Sequence, residues 1–227
     1  EDDIFGVGDF PGLIQDYLNF TDEGEDVLSD IQMRRDRVRT GDRYIGCHLI
    51  ADLDQLPAEV ASCRKVTSLS TDSSAVNLSF LNEIGQELDC EHIVNHFILK
   101  EPQKDIHGEL DTRRRQMLSM SGRSAENRMY SEELNEFLEA AASEQMHTVR
   151  FHINVLAGGS AEDYETVKDK VVSAVSRMGV TPVYDIYDTP CQFWASIPGN
   201  EAGLAYQEYM TADLKVALCM GISDGFE

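Results

Sequence analysis

No glycine in this chain is followed by lysine, so the phosphate loop GxxxxGK[ST] is absent. That motif needs a glycine-rich cradle, a lysine for the phosphates and a hydroxyl for magnesium. The GxSxG turn that exposes a nucleophilic serine is also missing. Gly6-Val7-Gly8 lacks the third glycine of a dinucleotide fingerprint and follows no predicted strand. No CxxC pair occurs, and the five cysteines (Cys47, Cys63, Cys90, Cys191, Cys219) are an odd number. This argues against a zinc ribbon or a disulfide framework and for free thiols in a reducing compartment. No apolar run approaches the ~20 residues of a membrane span. There is no signal peptide, and the chain opens at Glu1 inside an acidic stretch, which reads as a piece excised from a longer protein. Basic residues are scarce: 19 against 41 acidic ones, a formal net charge of −22. Such an excess disfavours non-specific association with nucleic acid, because polyanions repel.

What is present is enough for a core. With 227 residues, 42% of them apolar, the chain suits one large globular domain or two small ones. A first helix is expected from Thr21 to Arg39, because acids lead it, arginines end it, and Val27, Leu28, Ile31 and Val38 fit a helical stripe. Strands are expected at Tyr44–Ile50, His92–Leu99, Thr148–Leu156 and Val180–Tyr187. In the third, Val149, Phe151, Ile153 and Val155 alternate with Thr148, Arg150, His152 and Asn154, the period of a half-buried strand. His92–Leu99 is apolar on both faces, as a central strand is. Helices are expected at Ile106–Met120, at Ser131–Gln145 with Ser131 as cap, and behind the Ser160/Asp163 capping box as far as Gly179. Lys65–Gln86 reads as a surface excursion with a short strand near Ala75–Phe80. The sum is an α+β fold, a two-layer α/β sandwich with ferredoxin-like βαβ elements and helices on a four- to five-stranded mixed sheet. The expected divisions are a helical segment at 1–41, an α/β domain at 42–200 and a terminal segment at 201–227.

Four groups of residues could carry chemistry or contacts. His92 and His96 would share one metal ion on a helix, but on a strand they stand about 13 Å apart. Cys191 follows Asp188-Thr189-Pro190, where a short helix can start and acidify a thiol. A cysteine nucleophile also needs a placed histidine. Arg113, Arg114 and Arg115 form a basic group that reads either as a solvated face or as a docking or nucleic-acid contact. Phe193 and Trp194, followed by Pro198-Gly199-Asn200, make a hydrophobic plug and then a tight turn. They are the candidate contact with a partner or a neighbouring domain.

Asp188-Thr189-Pro190 with Phe193-Trp194-Ala195-Ser196-Ile197-Pro198-Gly199-Asn200 resembles the segment ahead of the motor domain in conjugation ATPases of type IV secretion systems. The likeness is greatest to the TraG-type ATPase of conjugative transposons. Gly41-Asp42-Arg43, Leu56-Pro57, Leu69-Ser70-Thr71-Asp72, Leu78-Ser79-Phe80, His92-Ile93-Val94-Asn95-His96 and Val149–Val155 agree in the same order, so the resemblance runs from Gly41 to about Leu218. It implies a non-catalytic docking and assembly domain, with the P-loop domain, its ATP and its Mg²⁺ lying outside this chain. It supplies no catalytic, cofactor or metal residues here. The partners it implies are the protein's own C-terminal ATPase domain and the inner-membrane components of a conjugation channel. It further implies an oligomeric full-length protein on the cytoplasmic side, peripheral to the inner membrane. The alternatives are a metal- or thiol-dependent enzyme using His92, His96 or Cys191, and a single-stranded DNA contact through the arginine clusters.

Overall fold

The computed structural model describes residues 13–20, 28–50, 52–56, 64–65, 77–78, 81, 84–85, 88–197, 199–200, 202, 204 and 209–220. In chain order its helices are α1 (Leu13–Asn19), α2 (Gln103–Met120), α3 (Ala125–Ser143), α4 (Tyr164–Arg177), α5 (Thr189–Ala195) and α6 (Leu214–Met220). Its strands are β1 (Ile31–Arg34), β2 (Arg37–Thr40), β3 (Arg43–Ile50), β4 (Arg64–Lys65), β5 (Asn77–Leu78), β6 (Glu91–Leu99), β7 (Thr148–Ser160), β8 (Val183–Tyr184) and β9 (Met210–Asp213). The fold is α+β.

The main sheet runs β1-β2-β3-β7-β6, with β8 added to β3 and β9 to β7. Every described pairing is antiparallel, so the sheet is not mixed. β7 and β8 point the same way but are not neighbours, because β3 lies between them. The four strands β8-β3-β7-β6 thus have the chain order 4-1-3-2 of a split βαβ arrangement. β6 pairs only with β7 among the described residues, so it is an edge strand rather than a central one.

β7 shows why the sheet holds. Its β-branched and aromatic alternation suits a pleat. Val149, Phe151, Ile153 and Val155 are all buried against Val167, Val171 and Val175 of α4. Those valines recur at helical spacing, and each buried side chain of this size contributes roughly 1.5–3 kcal/mol. Ser160 Oγ donates to Asp163 Oδ2 at 2.7 Å and accepts from the Asp163 N–H, but Ser160 ends β7 and Asp163 is itself the N-cap of α4, so the expected capping box is not formed. Gly179 ends the helix region with φ of +80°. The other face of β7 is not solvated, although its alternation suggested so. His152 and Asn154 are fully buried there. Leu156 on that face packs with Ile45, Cys47, Val38, Phe20 and Phe193.

Three further expectations are corrected. The described part of the expected first helix, Ile31 to Thr40, is a β-hairpin: Ile31 pairs with Thr40 and Arg34 with Arg37. A period of two explains it, since Val38, Thr40 and Ile45 turn inward while the arginines turn out. α3 starts at Ala125, capped by Ser124, whose Oγ accepts from the Asn127 N–H; Ser131 is a buried interior residue. The Val180–Tyr187 strand shrinks to two residues. Val180 instead fills the core, and the Thr181 N–H bonds the carbonyl of Gln55. Of the Lys65–Gln86 excursion, β5 falls where a short strand was expected, and its pairing with β4 makes a separate two-stranded sheet.

Gly158 is where the second core comes closest to the backbone. A Cβ there would lie 2.8 Å from the Phe20 ring and 3.1 Å from the Tyr44 carbonyl. Gly158→Ala is expected to cost about 1–3 kcal/mol through overpacking. Gly122→Ala, which meets nothing within 4 Å, is the matched control. Equal urea midpoints for the two variants would refute this packing.

Candidate functional site

The segment Asp188–Asn200 is built into the fold rather than laid on it. Asp185 Oδ1 accepts from the Tyr187 and Asp188 N–H groups, and the Asp185 N–H bonds the Cys47 carbonyl. Pro190 then opens α5, whose first turn has no use for its missing N–H. Phe193 is fully buried, 5.1 Å from the Tyr17 ring and 5.6 Å from that of Trp194. The Tyr17 hydroxyl donates to the Phe193 carbonyl, and burial pushes that phenol well above the usual tyrosine range. Trp194 is half-buried, and its indole N–H donates to Met33 Sδ. Gly199 takes a left-handed turn at φ of +89°, which lets Asn200 Nδ2 donate to the Trp194 carbonyl at 2.9 Å. Pro198 lies outside the described residues. Phe193 and Trp194 therefore close the second core, while Gly199 and Asn200 are exposed.

Beside Phe193, Gln192 organises a buried polar chain. Its Oε1 accepts from His152 Nε2 at 3.0 Å and from Asn154 Nδ2 at 2.8 Å. Asn154 Oδ1 accepts in turn from Asn95 Nδ2 at 2.7 Å. One oxygen with two lone pairs satisfies two buried donors, which fixes the Nε2–H form of His152.

His92 and His96 lie on strand β6, four residues apart on one face, so the strand geometry separates them by about 13 Å. His92 Nδ1 pairs with the Cys90 carbonyl. His96 packs edge-on to Phe151, and burial lowers its pKa to about 4. Among the described residues no group of three or more His, Cys, Asp or Glu is placed to hold a metal ion. Cys191 is exposed in the first turn of α5, and Cys47 is a buried thiol outside any disulfide.

The larger open features lie elsewhere. α2 and α3 form an antiparallel hairpin inserted between β6 and β7. Its base is clamped: Gln103 donates to the Thr148 carbonyl and accepts the Thr148 N–H, and His107 meets the Thr148 hydroxyl. Arg150, mostly buried, pairs with Glu101 at 2.6 Å and with Glu109. These side chains, with Asp105, Arg113 and Tyr209, line a cleft of about 660 Å³. Along their whole length the two helices bury only Ile106, Leu110, Ser131 and Ala141. Arg113 and Arg115 are exposed and Arg114 is half-buried, with Arg114 and Arg115 both on the Asp111 carboxylate. These two arginines hold Asp111 below the usual carboxylate range, the hydrogen bond from Arg114 first. Around the turn at 121–124 the hairpin exposes Leu118, Met120, Met129 and Tyr130.

A second open feature is the outer face of the β1–β2 hairpin. Gln32, Arg34, Arg37, Arg39 and Tyr44 line a recess of about 100 Å³ there. Sequence reasoning placed Leu118 and Met120 on a helix, left Met129 and Tyr130 ahead of the next one, and assigned the first arginines to a helix. The signal that finds the arginine face is the alternation Gln32, Arg34 and Arg37, Arg39 around a turn at 35–36.

The chain matches no known family model and no curated protein. Among the described residues no helix is long and apolar enough to cross a membrane.

Proposed function

We propose that this chain is a non-catalytic docking and assembly domain of a conjugation-type motor, and that the tip of the α2–α3 hairpin is its contact surface. The observation that carries the reading is the projecting hairpin. Four large apolar side chains, Leu118, Met120, Met129 and Tyr130, are each 43–57% exposed around one turn. Clustered exposed apolar residues mark interaction surfaces, and methionines adapt to the face they meet. The resemblance to the pre-motor segment of TraG-type ATPases supports the same reading. So does the use of Phe193 and Asn200, two residues that carry that resemblance, as supports for the fold. The implied setting is the cytoplasmic face of a conjugation channel, with an ATPase domain beyond this chain supplying the hydrolysis.

The test is size-exclusion binding to the inner-membrane components of a conjugation channel, with wild type against a Leu118→Glu/Met129→Glu variant. Both positions are exposed, so the melting temperature should not change. Association is expected to weaken by roughly tenfold or more, as for a desolvated apolar contact. Undiminished association of the variant would exclude the hairpin tip. ATP hydrolysis by this chain, abolished by a point change within it, would exclude the whole reading.

A further inference from the structure

We propose that the outer face of β1, β2 and β3 is a binding site for a phosphate group, held by Arg34, Arg37, Arg39 and Gln32. The register places these side chains together: Gln32 opposes Arg39, Arg34 opposes Arg37, and Arg39 opposes Tyr44. Strand alternation sends all of them to one face, with Val38 and Ile45 on the other.

Three observations point to a ligand. The first is the charge left without a counterpart. Arg34 stands directly opposite Arg37, a destabilising like-charge pair. Carboxylates outnumber basic residues 41 to 19 in this chain, yet among the described residues only Asp36 pairs with this face, at 3.8 Å from Arg37. Elsewhere on the main sheet Arg43 is paired with Glu91 and Arg150 with Glu101 and Glu109. The second is pre-positioning. Arg37 and Arg39 lie over the Tyr44 ring at 5.7 and 5.6 Å, and Arg39 Nε donates to the Gly41 carbonyl at 2.8 Å. The third is size. The recess of about 100 Å³ is small and partly open, which suits one phosphate group seated against the arginines. Three guanidinium forks also offer more N–H groups than the two oxygens of a carboxylate can satisfy, whereas a phosphate presents three strong acceptors. This inference is independent of the docking reading, which concerns the tip of the α2–α3 hairpin.

Calorimetric titration of the intact chain at low ionic strength tests it, using inorganic phosphate, pyrophosphate and a single-stranded oligonucleotide, with chloride at matched ionic strength as reference. Pyrophosphate is expected to bind and to raise the melting temperature. Arg34→Gln/Arg37→Gln should weaken binding roughly tenfold or more. The same variant should melt no lower than wild type, because the opposed charges are gone. Arg113→Gln, on the exposed side of α2, should bind as wild type does. Tighter binding of the oligonucleotide would name a nucleic-acid backbone as the phosphate source, and tighter binding of pyrophosphate a small phosphorylated molecule; both retain the site. The proposal is overturned if no probe exceeds chloride, if the double variant binds undiminished, or if Arg113→Gln weakens binding equally.

Discussion

Phe193→Ala is expected to lower the unfolding free energy by about 3–5 kcal/mol, the usual cost of emptying an aromatic site in a core. Phe193 is fully buried, and it touches both the Tyr17 ring and the Trp194 ring. Its loss removes the contact that ties α5 to α1 and to Leu156 and Cys47 of the sheet. For a chain of this length the melting temperature should fall by roughly 6–20 °C. Trp194→Ala should cost less, since Trp194 is half-buried and its N–H meets only a sulfur. Urea and thermal unfolding of the two variants check this. A Phe193→Ala protein as stable as wild type would mean that the aromatic pair is a docking surface after all, and that the segment does not close the core.

The second large effect is acid lability. His48 is 1% exposed, and neither ring nitrogen has a hydrogen-bond partner. Burial first, and the Lys168 ammonium second, lower its pKa to about 4. Tyr184 faces it edge-on at 5.1 Å and offers no carboxylate. His96 is lowered to about 4 by burial and then by His152. Both fold as neutral rings, and both take up a proton more readily when unfolded, at about pH 6.5. Their contribution is therefore whole above pH 6.5 and is lost as pH falls from 6.5 to 4. At 1.36 kcal/mol per pKa unit this is of order 3 kcal/mol for each histidine. That is a large part of a typical domain's stability, so the midpoint in urea should drop steeply between pH 6.5 and pH 4.5. His48→Gln and His96→Gln should each flatten the slope. A wild-type profile flat across that window would refute the assignment of two neutral histidines.

The strands were legible where one residue type alternates with another. Val149 to Val155 and Tyr44 to Ile50 announce their period, and α4 announces its own through Val167, Val171 and Val175. What misled was a coincidence of charge. Acids before Leu28 and arginines from Arg34 to Arg39 mimic a helix macrodipole, although Gln32, Arg34, Arg37 and Arg39 already alternate in the strand manner. Long-range geometry was beyond local pattern. Nothing near Val183 says that it will pair with Leu49, or that β3 will lie between β7 and β8. The polar face of β7 looked solvent-facing because its cover, Gln192, comes 38 residues after Asn154. The arginine face stayed hidden for the same reason, since it takes three strands in register to assemble it. The Phe193 segment was legible as a plug and turn, and the structure uses it as one, with Gly199 and Asn200 finishing α5.

The insertion of the α2–α3 hairpin has a consequence for reach. Leu99 and Arg150 face each other across β6 and β7, so the hairpin leaves and re-enters the sheet at one point. The sheet would close over that point with a short reverse turn, and everything beyond it is an arm. An arm of 18 residues spans about 27 Å at the helical rise. Adding or deleting two turns, about seven residues, in both helices would move the apolar tip by about 10 Å and leave every strand pairing intact. The sheet thus acts as a fixed mount, and the reach of the arm can be retuned, or the arm exchanged for another, without refolding anything beneath it.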